Sequence, residues 1–215
     1  MTVSPLVSPR VPVVAVRTRV RVPLTLAGES FDEVSMVTFT NLVDDREHLA
    51  VLIGEPLAQR APLVRPHSEC LTGDVFGSAR CDCGPQLRGA LRLMRARGGV
   101  LLYLRQEGRG IGLYNKLDAY RLQDRGYDTY AANRALDFAD DERSYRPAAQ
   151  MLTALGVPAI TLLSNNPDKR MQLESAGIAV SRVEHTGSFL TAENRAYLEA
   201  KVRHTGHALD LGSAA

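Results

Sequence analysis

The sequence predicts an α/β fold: a mixed sheet flanked by helices in three layers, with an antiparallel β part at the N-terminus. Three observations predict it. Residues 14–22 alternate between Val14, Val16, Thr18, Val20 and Val22 on one side and Ala15, Arg17, Arg19 and Arg21 on the other, the period of a half-buried strand. From residue 84 onward, stretches with helical period alternate with short apolar runs, as in a sheet covered by helices. One of those runs, VLLYLRQ (100–106), opens with five consecutive apolar residues, as a strand buried on both faces requires.

Taken in order, residues 1–12 are expected to be a disordered tail. Pro5, Pro9 and Pro12 break any apolar run there, which also argues against a secretory signal. After the strand at 14–22, VSMVTFTNL (34–42) and HLAVLIG (48–54) read as strands rich in β-branched residues, joined by VDDRE as a hairpin loop. Leu87, Ala90, Leu91 and Met94 recur at helical spacing until Gly98-Gly99. A glycine-rich turn follows the 100–106 strand, then a helix from Leu113 to Arg125. Ala148, Met151, Leu152 and Leu155 mark another helix, closed by Gly156. AITLLS (159–164) and IAVSRV (178–183) read as strands. Between them Asn166 caps a helix that Pro167 opens, and Thr191 is expected to cap a last helix. No linker or repeat interrupts the pattern, so residues 13–207 are expected to form one domain, with 208–215 as a flexible tail.

Composition narrows the function. No apolar run approaches the roughly 18 residues of a membrane-spanning helix. A net charge of +2 and 6% aromatic residues without Trp do not suit a stacking platform for nucleic acid. Arg10, Arg17, Arg19 and Arg21 precede the first acid, Glu29; they read as a solvated strand face or as a contact for an anion. The chain reads as cytoplasmic, so a disulfide framework explains its cysteines poorly.

All three cysteines fall in RPHSECLTGDVFGSARCDCGPQ, as Cys70, Cys81 and Cys83. Three thiolates that hold zinc leave its fourth position for water, the arrangement of a catalytic site. His67 keeps a closed Cys3His structural site open as an alternative, and three buried free thiols are another. In LRQEGRGIGLYNK (104–116), glycines follow a strand and precede a helix. With Arg105 and Arg109 that turn suggests a phosphorylated ligand, and Glu107 could accept from the N–H donors of a base. FADDERSYR (138–146) reads either as an acid-enriched helix start or as a proton-moving carboxylate beside a phosphate-clamping arginine. In LLSNNPDKR (162–170) a capped helix begins beyond a strand's carboxyl end, where α/β sheets bind ligands.

Together RPHSECLTGDVFGSARCDCGPQL, LRQEGRGIGLYNK, LQDRGYDT, DDER and LLSNNPDK resemble GTP cyclohydrolase II, the first committed enzyme of riboflavin synthesis, over about residues 17–207. The resemblance implies conversion of GTP to a diamino-ribosylamino-pyrimidinone phosphate with release of formate and pyrophosphate, after water activated by zinc attacks C8 of guanine. It assigns one zinc per chain to Cys70, Cys81 and Cys83, leaving His67 to the substrate. It places Arg65, Pro66, His67, Ser68, Glu69, Gln86, Glu107, Gly108, Arg109, Thr129, Ser164 and Lys169 against GTP. It makes Tyr120 a positioner of guanine, Asp141 the proton acceptor and Arg143 the nucleophile at the α-phosphate. A guanidinium stays protonated and has no lone pair to spare, so we expect Arg143 to be an essential α-phosphate group. Mg2+ is expected on the triphosphate, and a homodimer follows from the family. This chain departs from the usual family pattern at Pro66, Tyr130, Ala131, Ser164 and Glu184 and in AKVRHTGHAL near its end. A paralogue that stops at a formylamino-pyrimidine, or a non-catalytic zinc and nucleotide module, is therefore the alternative.

Overall fold

The computed structural model describes residues 13–26, 28–44 and 46–205. The expected tails lie outside these residues, as do residues 206 and 207 of the expected domain. At the centre is a seven-stranded sheet in the order β1 (Ala15–Arg21), β4 (Val34–Thr40), β5 (Leu49–Ile53), β7 (Gly99–Leu104), β6 (Leu63–Ser68), β8 (Ala159–Leu163) and β9 (Ala179–Glu184). Neighbours from β1 to β7 pair antiparallel, and those from β7 to β9 pair parallel. The mixed sheet with an antiparallel N-terminal part is what the chain forms. A small ribbon of β2 (Leu24–Leu26) and β3 (Glu29–Phe31) stands apart from it.

Side chains alternate across the sheet, and each face meets its own helices. Ala50 and Leu52 of β5 share a cluster with Met151 and Leu152 of α5 (Arg146–Ala154) and Leu173 of α6 (Pro167–Ser175). Val51 and Ile53 share the opposite cluster with Ala90, Leu91 and Met94 of α2 (Cys83–Arg97). Burying each Leu or Met side chain contributes roughly 1.5–3 kcal/mol. The helix ends follow local chemistry. Gly98 closes α2 at φ 73°, and the Asn166 carboxamide oxygen accepts from Asp168 N at 2.9 Å where Pro167 opens α6.

Two expectations need correction. β1 is exposed at all seven positions rather than half-buried, because it lies at the sheet's edge beyond most of the helical cover. Its register also shifts between Val16 and Thr18, which breaks the alternation; Val14, just before it, does pack on the core. Thr191 does not cap the last helix, α7 (Arg195–Thr205). Thr191 and Asn194 instead close a turn ahead of it: Asn194 N donates to Thr191 Oγ1 at 3.2 Å, and Thr191 N donates to Asn194 Oδ1 at 2.8 Å. Asn194 is buried, so its carboxamide answers backbone groups that water cannot reach.

The sequence did not announce β6, the strand that delivers the site. LVRPHS buries Arg65, Pro66 and His67 in the middle of the sheet, where period-two hydrophobicity is absent. A proline there would normally break a ladder. β6 pairs with β8 only at Leu63 and Val64, however, and the Pro66 carbonyl accepts from Lys169 Nζ at 2.7 Å instead. A strand residue's N–H and C=O point to the same side, so the donor that proline lacks falls where β8 has already parted. Among the described residues no helix is long and apolar enough to cross a membrane.

Candidate active site

β6, β7 and β8 run parallel and end on one side of the sheet. The segments beyond those ends line a cleft that is partly open to solvent. Cys70 stands between β6 and the short helix α1 (Leu71–Asp74), while Cys81 and Cys83 lie at the start of α2. The three Sγ atoms lie within 4.8 Å of one another, and those of Cys70 and Cys81 are 3.7 Å apart. Sulfurs bonded at about 2.3 Å to a tetrahedral zinc sit about 3.8 Å apart, so the trio fits that ion. Among the described residues no His, Asp or Glu joins them. His67 is engaged elsewhere: its Nε2 meets both oxygens of Asp74 at 3.1 Å, and that carboxylate also accepts from Tyr103 Oη and Cys70 N.

The sulfurs share their protons unequally. Hydrogen bonds from Cys81 and Cys83, with Lys116 Nζ at 3.1 Å, hold Cys70 far below the usual thiol pKa. Cys70 in turn pushes Cys81 up to about 11 and Cys83 well above the usual value. A divalent cation would displace those shared protons. Lys116, on α3 (Leu113–Gln123), also donates to Glu107 Oε1 at 2.8 Å and Thr72 Oγ1 at 2.9 Å.

Glu107 is thereby occupied by the protein. Besides Lys116 it accepts from Leu71 N at 2.6 Å and from Gly108 N at 2.9 Å, so it ties the loop after β7 to the helix after Cys70. Arg109 adopts φ 63°, a left-handed conformation that L side chains rarely take. In that posture its guanidinium lies 4.2 Å over the ring of Tyr130, a residue of α4 (Thr129–Ala135), and its buried Nη1 has no hydrogen-bond partner.

Other cations gather at the same end. Arg65 donates to Leu163 O at 3.3 Å and Gln86 Oε1 at 2.6 Å, yet its buried Nε has no partner. Burial, then the charges of Arg65, Arg143 and Lys201, push the Lys169 ammonium well below the ordinary lysine pKa. Arg143 grips Asp141 through Nε at 2.8 Å and through Nη2. Burial opposes the charge on Arg143, but the paired Asp141 carboxylate offsets it, so the guanidinium is held protonated. Burial likewise favours a neutral Asp141, and Arg143 overrides it, so the carboxylate stays ionised. Tyr120 also lines the cleft; burial keeps it a hydroxyl, and its ring lies 4.4 Å from the Arg80 guanidinium.

Of the site residues the resemblance assigned, Pro66 and Asp141 do not line the cleft and the others all do; Arg105, read in the sequence as a phosphate contact, lies outside it and pairs with Glu69. Pro66 acts through its carbonyl on Lys169, and Asp141 sits behind Arg143. Ser68, Glu69 and Ser164 line the cleft with their polar atoms already bonded to Gln106, Arg105 and Asn166. Thr129 stands at the start of α4, where Asp128 caps the helix by accepting from Ala131 N at 2.7 Å.

The family model for GTP cyclohydrolase II matches residues 18–185. The chain belongs to the GTP cyclohydrolase II family. It is 52% identical to GTP cyclohydrolase-2 of Vibrio cholerae over 194 residues, 90% of this chain and 98% of that one. It is 49% identical to GTP cyclohydrolase-2 of Aliivibrio salmonicida over 91% of this chain and 98% of that one. Riboflavin biosynthesis protein RibBA of Thermotoga maritima is 51% identical over 84% of this chain, an alignment that covers 46% of that longer protein. A crystal structure of RibBX, a two-domain 3,4-dihydroxy-2-butanone 4-phosphate synthase from A. baumannii, shares 19% identity at a TM-score of 0.42, covering 82% of this chain and 41% of that one, a likeness too slight to argue from.

The span matched to GTP cyclohydrolase II ends before α7, although Tyr197 and Lys201 of that helix line the cleft. Sequence reasoning missed both, along with Lys116 and Gly73. A lysine or tyrosine on a helix carries no local sign of what it faces. Gly73 has a detectable reason only in space: a Cβ there would lie 2.7 Å from Cys81 Sγ and 3.1 Å from Cys70 Sγ. In this chain, Gly73→Ala is therefore expected to spread the sulfurs and weaken zinc binding at least ~10-fold, as supporting contacts of metal sites do when altered. Competition with a chelator measures it; unchanged affinity would show that the thiol cluster tolerates a wider spacing.

Proposed function

We propose that the protein hydrolyses GTP as the first step of riboflavin synthesis, opening the imidazole ring of guanine and releasing formate and pyrophosphate. One observation carries this: three sulfurs spaced for a metal and a cluster of buried cations line the same cleft. Zinc on Cys70, Cys81 and Cys83 supplies a Lewis acid that makes water nucleophilic at neutral pH.

The chain's own residues do the rest. Tyr120, beside the sulfurs, orients the base with its ring and hydroxyl. Arg65, Arg109, Arg143 and Lys169 bind the triphosphate, which Mg2+ accompanies. The unpartnered N–H groups of Arg65 and Arg109 and the depressed Lys169 are all relieved by an anion, which supports that end as the phosphate end. Arg143, held protonated, clamps the α-phosphate. Asp141 holds the Arg143 fork and, being ionised, can accept a proton once the fork turns to phosphate. Gln86, Thr129 and Ser164, with Ser68, Glu69 and the backbone of Gly108, complete the contacts, and His67 supports the pocket floor through Asp74. The same reading gives a cytoplasmic homodimer with neither nucleic acid nor membrane as partner.

Lys169→Met is expected to raise KM for GTP by ~10–100-fold, the worth of a hydrogen bond to a charged group, with zinc content unchanged. The function itself is tested with GTP, Mg2+ and zinc, by following the purine absorbance, formate and pyrophosphate. No turnover with zinc verified at one per chain would reject the enzyme. Ring opening without formate would instead favour the truncated reaction, to which the departures Tyr130 and Ser164 in the cleft wall lend interest.

A further inference from the structure

Asp82, between Cys81 and Cys83, is fully buried, with 0% exposure. It occupies the N-cap position of α2, yet its side chain makes no capping hydrogen bond. The carboxylate is turned elsewhere. Oδ1 accepts from Lys201 Nζ at 3.0 Å, and Oδ2 accepts from Gln86 Nε2. Gln86 Oε1 then accepts from Arg65 Nη2 at 2.6 Å. Lys201 comes from α7, beyond the span matched to the family, and its Nζ lies 4.3 Å from the centre of the Tyr197 ring. Lysine, carboxylate, carboxamide and guanidinium thus form one connected row, from the C-terminal helix, past the cysteines, to the phosphate end of the cleft.

We propose that Lys201 is a positioning residue of this active site: through Asp82 it fixes the turn that carries Cys81 and Cys83, and through Gln86 it fixes the guanidinium of Arg65. A buried carboxylate that loses its cation must be rehydrated or reorganised. Asp82 can reach water only by moving the turn, and a cysteine lies on each side of it. The same movement releases Gln86 and leaves Arg65 one partner short. α7 is on this account a working wall of the cleft. The inference deepens the GTP reading and rests on it for the role of Arg65; its consequence for zinc stands independently.

The test uses the full-length zinc-loaded protein with Lys201→Met, Lys201→Arg, Asp82→Asn and the Asp82→Asn/Lys201→Met double variant. Zinc release to a chromogenic chelator is timed without GTP, and KM and kcat for GTP are measured separately. Lys201→Met is expected to release zinc ~10–100-fold faster and to raise KM more than it lowers kcat. Lys201→Arg restores both to within about threefold, because it keeps the cation. In the Asp82→Asn background, Lys201→Met adds nothing further. Wild-type zinc release and KM in Lys201→Met would overturn the proposal. So would full additivity in the double variant, which would mean that Lys201 acts apart from Asp82. If Lys201→Met does not fold, Lys201→Gln, which keeps a donor without the charge, decides: wild-type zinc release and KM then refute the proposal, and faster release with a raised KM uphold it. A wild-type protein inactive on GTP sinks the proposed function but leaves the zinc-release comparison standing.

Discussion

Replacing Cys81 with serine is expected to abolish ring opening, by at least a factor of roughly 1000, because a metal-activated nucleophile cannot be supplied by side chains alone. The Cys81 sulfur lies 3.7 Å from that of Cys70, and all three sulfurs lie within 4.8 Å, so none can be spared without opening the cluster. A serine hydroxyl is a poor zinc ligand at neutral pH and too short to reach the same point. Metal analysis should show well under one zinc per chain. Pyrophosphate release is the informative second reading. The proposed phosphate end is made of Arg65, Arg109, Arg143 and Lys169, which come from β6, the loop after β7, the loop before α5, and α6. If the variant still releases pyrophosphate without opening the ring, the two ends of the cleft work separately. Loss of both activities together with loss of the folded state would mean that zinc also holds the structure.

The second large effect belongs to Arg143. Arg143→Lys should lower kcat/KM for GTP about 100-fold, equivalent to ~2.7 kcal/mol, with zinc still at one per chain. The charge survives this change, so a simple electrostatic role predicts little effect. The geometry predicts a large one. Arg143 spends Nε and Nη2 on the two oxygens of Asp141 and still has donors for the cleft. An ammonium is a point charge and cannot do both. It either stays with Asp141 or turns to phosphate and leaves a partly buried carboxylate alone. Steady-state kinetics on the variant decides it; activity within threefold of wild type would reduce Arg143 to a background charge.

How much of this was legible in the sequence depends on what a residue does locally. The cysteines announce themselves because ligands of one ion must be near each other, and three thiols between positions 70 and 83 have few other reasons to cluster. α2 and α5 were legible from apolar spacing and helix ends from Gly98, Gly156 and Asn166-Pro167, whereas α1 and α4 carried no such signal and were not read. β6 was not, since its buried positions carry Arg65 and His67, which serve the cleft and erase the apolar signature. β1 was read as half-buried because alternation marks two faces of a strand without saying what covers them. Glu107 looked like a ligand acceptor and is committed to Leu71, Gly108 and Lys116, a fact set by contacts 9 and 36 residues away in the chain. The Lys201–Asp82 pair spans 119 residues, and no local pattern could have joined them.

The parting of β6 from β8 at Val64 leaves the sheet one rung short, and the rung is supplied by an ammonium group. A neutral donor would complete that rung with less electrostatic strain, since Lys169 sits among Arg65, Arg143 and Lys201. Thermostability and turnover should therefore pull in opposite directions at this position. Mutational searches for a hardier protein will be drawn to residue 169, and whatever they gain there will be taken from affinity for the anion.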